Sequence, residues 1–171
     1  MSLFQRIFGE KQQRAPLQPL YAAIVAKGRD PAWYRDGQVP DTIDGRFDMV
    51  ASILSLVLLR LEQDGEATRD PSVLLTEIFI ADMDATLRQI GIGDYVVGKH
   101  VGRMMSALGG RLGAFRDALA AGSLTEPVAR NIFHESPPGE AELRFVAGGL
   151  ERFAAALAAL PTAELLAGKL P

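Results

Sequence analysis

The sequence predicts an all-α protein, a single-domain helical bundle of about six to eight helices around a buried central helix at residues 44–62. Three observations support this prediction. Apolar residues recur three and four positions apart along most of the chain, which places them on one face of a helix. No segment alternates polar and apolar residues as a half-buried strand does. The run from Phe47 to Leu61 is apolar around nearly its whole circumference, which is typical of a buried helix.

Length and composition are those of an ordinary folded domain. The chain has 171 residues, of which 48% are hydrophobic and 23% charged, enough for one domain with its own core. The net charge of -3 disfavours a dedicated nucleic-acid binder, which carries a basic excess, so no DNA partner is expected. Because the chain has no cysteine, disulfides, thiolate metal sites and cysteine nucleophiles are excluded.

The N-terminus is expected to be a flexible segment at residues 1–16, ahead of a helical domain at residues 17–171. Gln12 to Pro19 is polar and contains two prolines, which is typical of a linker. Residues Leu3 to Phe8 form a short amphipathic patch, and we expect it to fray or to dock on the domain. No signal peptide is predicted, because an uninterrupted apolar region and a cleavage site are both lacking.

The first half of the domain is predicted to contain three elements before the central helix ends. A helix runs from about Leu17 to Lys27, where Gly28 and Pro31 end it. The single tryptophan, Trp33, lies in a short aromatic turn and is interpreted as an anchor packed on the core. On the central helix, the few polar residues fall on one narrow stripe: Asp48, Ser52 and Ser55.

A charged loop from Glu62 to Pro71 leads into a helix from Ser72 to Ile90, whose apolar residues have helical spacing. On this helix Asp82 lies about 60° from the centre of the apolar face, where an ionised carboxylate needs a partner. We therefore predict that it accepts a hydrogen bond from a basic side chain. The candidates are Arg46, Lys99 and Arg103.

The second half of the chain is predicted to hold three more helices and a final turn. The first runs from Tyr95 to Ala120, and Asp94 is its expected N-cap. Ser123 and Glu126 have the spacing of a capping box for a helix that ends near His134. A long helix follows from Glu140 to Leu160.

Four glycines form a stripe on the helix from Tyr95 to Ala120: Gly98, Gly102, Gly109 and Gly113. Each glycine costs the helix about 1 kcal/mol relative to alanine, so four together suggest a use. We favour a close helix crossing inside the domain, and a docking groove for a partner helix is the alternative. Another face of the same helix is basic, with Lys99, Arg103, Arg111 and Arg116.

No catalytic or metal site emerges from the residues. The segment from Gly93 to His100 is one letter short of a phosphate-binding P-loop, because His100 replaces the hydroxyl residue that would hold Mg²⁺. Asp82 and Asp84 point in nearly opposite directions on a helix and cannot close on one ion. His100 and His134 each lack neighbouring ligands, and each is interpreted as a surface or satisfied flanking residue. We therefore predict a protein that is not an enzyme and has no cofactor and no metal.

Several separate motifs resemble, in the same order, the ubiquinol–cytochrome c reductase assembly chaperone family, over roughly residues 17–120. These motifs are Leu20-Tyr21, Trp33-Tyr34, Val39-Pro40-Asp41-Thr42, Gly45-Arg46-Phe47-Asp48-Met49, Asp82-Met83-Asp84, Leu87-Arg88, Gly91-Ile92-Gly93-Asp94, Val97-Gly98-Lys99 and Gly110-Arg111. Because the chain shows no mitochondrial presequence, it resembles a bacterial member of the family.

The resemblance implies a non-enzymatic chaperone for assembly of the cytochrome bc1 complex. Its implied partner is newly made cytochrome b, nascent or newly inserted. The ribosome near its exit tunnel and a peripheral membrane contact are further implied partners. The implied location is the bacterial cytoplasm, with peripheral contact at the cytoplasmic face of the inner membrane as a further expectation.

Seven charged residues are the candidates for the partner-binding surface, or for the polar network that shapes it: Arg46, Asp82, Asp84, Arg88, Asp94, Lys99 and Arg103. A plainer interpretation is that Asp82 and Arg46 lock helices together. An alternative function is a lipid- or quinone-binding domain that uses an apolar pocket between helices. A P-loop enzyme would instead require Mg²⁺-dependent nucleotide binding that the substitution Lys99→Ala abolishes.

Overall fold

The computed structural model describes residues 15–89, 94–134 and 138–171, and the side chains of residues 15, 87 and 94–101 lie outside that description. Within these ranges all regular structure is helical, so the all-α prediction is confirmed. The predicted flexible segment lies almost wholly outside the described residues, as do Ile90 and the predicted connection at residues 91–93.

Eight α-helices occur in the described residues, in chain order: α1 (Gln18–Gly28), α2 (Pro31–Arg35), α3 (Ile43–Glu62), α4 (Arg69–Gln89), α5 (Asp94–Ala121), α6 (Thr125–Val128), α7 (Glu140–Ala159) and α8 (Thr162–Leu166). Short 3-10 turns occupy Ala15–Leu17 and Gly65–Thr68, and a π-helical turn occupies Ala129–Phe133. None of the described helices is both long and apolar enough to cross a membrane.

Helix α3 is the buried centre of the fold, as the sequence predicted. Each residue from Asp48 to Leu59 is buried, and the helix packs against α1, α4, α5 and α7. The Thr42 hydroxyl caps its N-terminus by accepting from the Gly45 backbone N–H at 3.1 Å. Inside the helix, Ser52 and Ser55 donate to backbone carbonyls four residues earlier, so their burial leaves no hydroxyl unpaired.

Helices α1 and α3 cross closely at Gly28. A Cβ added at Gly28 would stand 2.8 Å from the Cα of Val50, so the two backbones approach closely only because Gly28 has no side chain. Just beyond α1, Trp33 is 7% exposed, and its indole N–H donates to the Lys27 carbonyl at 2.8 Å. The prediction that Trp33 anchors this corner on the core is confirmed.

The segment predicted as a charged loop is more structured than expected. The 3-10 turn at Gly65–Thr68 leads directly into α4, which begins at Arg69 and not at Ser72. Thr68 is buried, and its hydroxyl donates to the Leu61 carbonyl at the end of α3. This buried hydrogen bond closes the connection against the core and shortens the loop.

The helix predicted between the capping box and His134 is also different. It is split into the single turn α6 and the π-helical turn. Leu124, and not Ser123, occupies the N-cap position. The Leu124 backbone N–H donates to the Glu151 carboxylate of α7 at 2.7 Å, and the Ser123 hydroxyl accepts from the Thr125 backbone N–H at 3.3 Å. The start of this helix is therefore held by a distant helix as well as by Ser123.

Candidate functional site

A buried ion pair between Asp48 of α3 and Arg111 of α5 is the most unusual polar feature of the interior. Arg111 Nη2 donates to Asp48 Oδ1 at 2.6 Å, and the two side chains are only 2% and 7% exposed. The same nitrogen donates to the Asn131 carbonyl of the π-helical turn at 2.8 Å. Three separate parts of the chain are therefore held at one guanidinium.

His134 completes this cluster from the surface side. Its Nε2 lies 2.8 Å from the second carboxylate oxygen of Asp48, while its own side chain is 58% exposed. The residue ends the π-helical turn with φ of 49°, the left-handed region that residues other than glycine adopt only rarely. Asp48 thus connects the centre of the fold to an exposed histidine.

Two nitrogens of Arg111, Nε and Nη1, are buried without a hydrogen-bond partner among the described residues. Burial lowers the pKa of the Arg111 guanidinium below its ordinary value, and the Asp48 carboxylate opposes that shift. An arginine stays protonated even so. The pair therefore combines a strong contact with a large cost of removing charges from water.

The prediction that Arg111 shares the basic face of α5 with Lys99, Arg103 and Arg116 is wrong, because Arg111 is buried. His134 is a surface residue that the Asp48 carboxylate satisfies, in agreement with its interpretation from the sequence. A signal for the buried position was present in the sequence. Arg111 follows Leu108 by three positions and precedes Phe115 by four, the spacing of the buried face of a helix, and all three residues are buried. Arg116, by contrast, pairs with Glu62 at the surface.

Asp82 was predicted to accept from a basic side chain, but its donor in the structure is a phenol. The Tyr21 hydroxyl of α1 donates to Asp82 Oδ2 at 2.7 Å. Burial raises the pKa of Tyr21 above its ordinary value, and the hydrogen bond to Asp82 and its negative charge raise it further. Tyr21 reaches Asp82 because α1 packs against α4.

Arg46 is exposed at the start of α3, and its Nε donates to Asp41 Oδ1 at 2.6 Å. The Arg46 guanidinium lowers the pKa of the Asp41 carboxyl below its usual range. The interpretation that Asp82 and Arg46 lock helices together is therefore wrong, because each has a different partner. Arg46 borders a surface pocket of about 460 Å³ that it shares with Arg29, Pro31, Tyr34, Arg35 and Asp41.

The other candidate residues have separate surroundings. Asp84 and Arg88 form the predicted pair on α4, with Nε and Oδ2 2.9 Å apart. Arg103 is exposed on α5. The side chains of Asp94 and Lys99 lie outside the described residues, so their predicted roles stay predictions.

The glycine stripe of α5 does not form the close crossing that we favoured. A Cβ added at Gly102, Gly109 or Gly113 would meet nothing within 4 Å in the described structure. Met105, on the same helix, is 44% exposed. No described residue therefore covers Gly102, Gly109 or Gly113, while Gly98 lies outside the described side chains.

Several pockets on the described part of the chain are open to solvent. No group of three or more histidine or acidic side chains there is arranged to hold a metal ion. The P-loop-like segment from Gly93 to His100 lies outside the described side chains. An open pocket of about 320 Å³ is lined by aromatic residues that include Trp33 and Phe145, and by charged residues that include Lys27 and Arg152.

These features define a single-domain helical protein built around one buried helix, and comparison with known proteins gives its family. The chain is similar to the Cbp3 homolog from Brucella abortus, whose crystal structure matches with a TM-score of 0.80 at 27% sequence identity. The match covers 98% of this chain and 95% of that chain. No curated protein matches the sequence.

The family model described as ubiquinol-cytochrome C chaperone matches residues 35–170. The chain therefore belongs to the ubiquinol–cytochrome c chaperone family. The family resemblance that the sequence motifs indicated is confirmed, and the family supports a role in assembly of the cytochrome bc1 complex.

Proposed function

We propose that this protein is a non-enzymatic chaperone that binds newly made cytochrome b and assists assembly of the cytochrome bc1 complex. The observation that carries the proposal is the family match over residues 35–170. The similarity to the Cbp3 homolog over nearly the full length of both chains supports it. The family resemblance supports the further proposal that cytochrome b is the client.

The described surface has properties suited to a membrane-protein client. A newly made membrane subunit presents apolar helices flanked by cytoplasmic segments rich in lysine and arginine. The chaperone exposes large apolar side chains on four elements, at Ile43, Val73, Met105 and Phe145. Such residues can contact apolar client segments, while the buried helix α3 keeps the scaffold rigid.

The charged candidates are proposed as the polar part of the same interface: Arg46, Asp82, Asp84, Arg88, Asp94, Lys99 and Arg103. In the described structure Arg46 and Asp82 both border pockets, and Asp84 and Arg88 lie together on α4. We place the protein in the cytoplasm, in peripheral contact with the inner membrane and near the ribosomal exit tunnel, where a nascent client is accessible.

The proposal is tested by deleting the gene in the bacterium that carries it. We expect lower cytochrome b, measured by its haem b absorbance, and lower ubiquinol–cytochrome c reductase activity in membranes. Expression of the wild-type chain from a plasmid restores both, and the activity of a terminal oxidase that bypasses the bc1 complex serves as the control. Unchanged bc1 levels in the deletion strain refute the assignment.

A second candidate function, binding of a lipid or quinone, is favoured by the pocket that includes Trp33 and Phe145. Its volume of about 320 Å³ lies at the lower end of the range for small-molecule sites. Native mass spectrometry of the purified protein tests this candidate. A lipid or quinone that co-purifies with the wild-type chain, and is lost when Ala156→Leu fills the pocket from an exposed position of α7, supports it.

A further inference from the structure

A pocket opens where α1 crosses α4, and it contains the half-buried carboxylate of Asp82. The pocket has a volume of about 280 Å³, and its lining residues are Gln18, Tyr21, Ile78, Ala81 and Asp82. Helix α1 contributes one wall and α4 the other. The pocket thus combines the apolar groups of Tyr21, Ile78 and Ala81 with the Gln18 amide and one negative charge.

The charge of Asp82 is only partly satisfied in the described structure. Its Oδ2 accepts from the Tyr21 hydroxyl at 2.7 Å, and a phenol is a neutral donor. Among the described residues no lysine, arginine or histidine lies within ion-pairing distance of Asp82, while the neighbouring Asp84 has Arg88. A carboxylate removed in part from water gains from a cationic partner, since charge-assisted hydrogen bonds are the stronger ones.

We infer that the Tyr21–Asp82 pocket receives a lysine or arginine side chain of the client. The aliphatic stem of that side chain packs against Gln18 and Ala81, the exposed lining residues, and its cationic head donates to Asp82. This geometry uses both the exposed walls of the pocket and its single carboxylate.

The inference rests on the proposed function, because the client's chemistry decides which side chain is available. Cytoplasmic segments next to the helices of an inner-membrane protein carry an excess of lysine and arginine. One such residue directly beside an apolar segment matches a pocket that has one carboxylate and apolar groups. The chain's own basic residues at Arg6, Lys11 and Arg14 are the competing occupant.

The test compares two short fluorescein-labelled peptides that differ at one position. Both have leucines around a central residue, which is arginine in the first peptide and citrulline, its uncharged near-isostere, in the second. We expect the full-length chain to bind the arginine peptide about tenfold more tightly by fluorescence anisotropy, the size of one charge-assisted hydrogen bond. The variant Asp82→Asn loses this preference.

The matched control is Asp70→Asn, which makes the same change of charge at an exposed position of the same helix and keeps the preference. Circular dichroism establishes that both variants are folded. A charge exchange gives the second readout. The variant Asp82→Lys prefers a peptide with glutamate at the central position over the arginine peptide, which a purely structural role for Asp82 does not predict.

Three results overturn the inference. The wild-type chain binds both peptides equally, or Asp82→Asn and Asp70→Asn weaken binding alike, or neutralising Arg6, Lys11 and Arg14 to glutamine tightens arginine-peptide binding about tenfold. The last result assigns the pocket to the chain's own N-terminal segment. If the peptides show no arginine preference but bc1 levels fall in the deletion strain, the inference is refuted and the proposed function is kept. If the arginine preference is present but bc1 levels are unchanged in the deletion strain, the proposed function alone is refuted.

Discussion

Asp48 and Asp82 are both aspartates on core-packed helices, and the structure satisfies them in opposite ways. Asp48 is almost fully buried, and its carboxylate contacts the guanidinium of Arg111 and the imidazole of His134. Arg111 in turn donates to the Asn131 carbonyl of the π-helical turn. Asp82 is half-buried and accepts from one phenol. The difference shows that a buried charge requires an ionic partner, whereas a carboxylate at a pocket edge is left available for an external one.

The comparison also separates stability from function. The Asp48 cluster joins α3, α5 and the π-helical turn, so we assign it to the internal framework. The Asp82 pocket opens to solvent between α1 and α4, so we assign it to recognition. The predictions below test whether the two carboxylates differ in this way, beginning with the largest expected effect.

Removing the cation beside Asp48 is expected to cost the most. The substitution Arg111→Met leaves the Asp48 carboxylate buried with only His134 as a partner, and we expect the free energy of unfolding to fall by about 3–5 kcal/mol. Urea denaturation followed by circular dichroism measures the change. The control Arg116→Met breaks an exposed pair with Glu62 and is expected to cost less than about 1 kcal/mol.

The double variant Asp48→Asn/Arg111→Met sharpens this result. It removes both charges together with the two unpaired nitrogens of Arg111, so we expect it to recover much of the loss. If Arg111→Met destabilises the protein no more than Arg116→Met does, the Asp48 cluster is not part of the framework.

The sequence indicates that Asp48 requires a cationic partner, but it does not predict the geometry of the cluster. Helix α3 could be predicted as buried because it is apolar nearly all round, and a carboxylate on such a helix requires a cation. The spacing of Leu108, Arg111 and Phe115 pointed to that cation. His134 could not be foreseen, because its position depends on a π-helical turn and on a cap supplied by Glu151.

The partner of Asp82 could not be predicted from the sequence either. Helical periodicity placed Asp82 correctly at the edge of the apolar face of α4. It did not reveal that α1 crosses there, 61 positions away in sequence, with Tyr21 at the contact. Periodicity identifies which faces are buried, while the choice of which two faces meet depends on the packing of the whole domain.

Removing the hydrogen bond to Asp82 is expected to cost much less stability than removing the cation beside Asp48. The substitution Tyr21→Phe removes the hydroxyl and keeps the ring, so we expect unfolding to become easier by only about 1 kcal/mol, since the hydrogen bond is charged but partly solvated. Urea denaturation measures it against Arg111→Met. Equal losses for the two variants would remove the distinction between the framework and the pocket.

Alkaline pH provides an independent measure of the Tyr21 phenol at this contact, because burial first and the hydrogen bond to Asp82 second raise its pKa. The pKa of Tyr21 is raised in the folded protein from its ordinary value of 10.0, so the unfolded chain loses this proton first. The contribution of Tyr21 to stability is therefore complete below pH 10.0 and declines as pH rises above it. We expect the free energy of unfolding to fall less steeply above this pH in Tyr21→Phe, and an identical decline in both proteins would contradict the assignment.

Two glycines, one exposed on α5 and one buried at the crossing of α1 and α3, give the smallest expected change in stability. The substitution Gly109→Ala adds a methyl group that meets nothing in the described structure, so we expect it to stabilise α5 by about 0.5–1 kcal/mol through helix propensity. The control Gly28→Ala places its Cβ against the backbone of Val50 and is expected to destabilise the protein. If Gly109→Ala is stable but lowers cytochrome b levels in the complemented deletion strain, the glycine stripe of α5 belongs to the client interface. If client levels are unchanged, the client contact lies elsewhere, and the carboxylate of Asp82 becomes the better place to look for it.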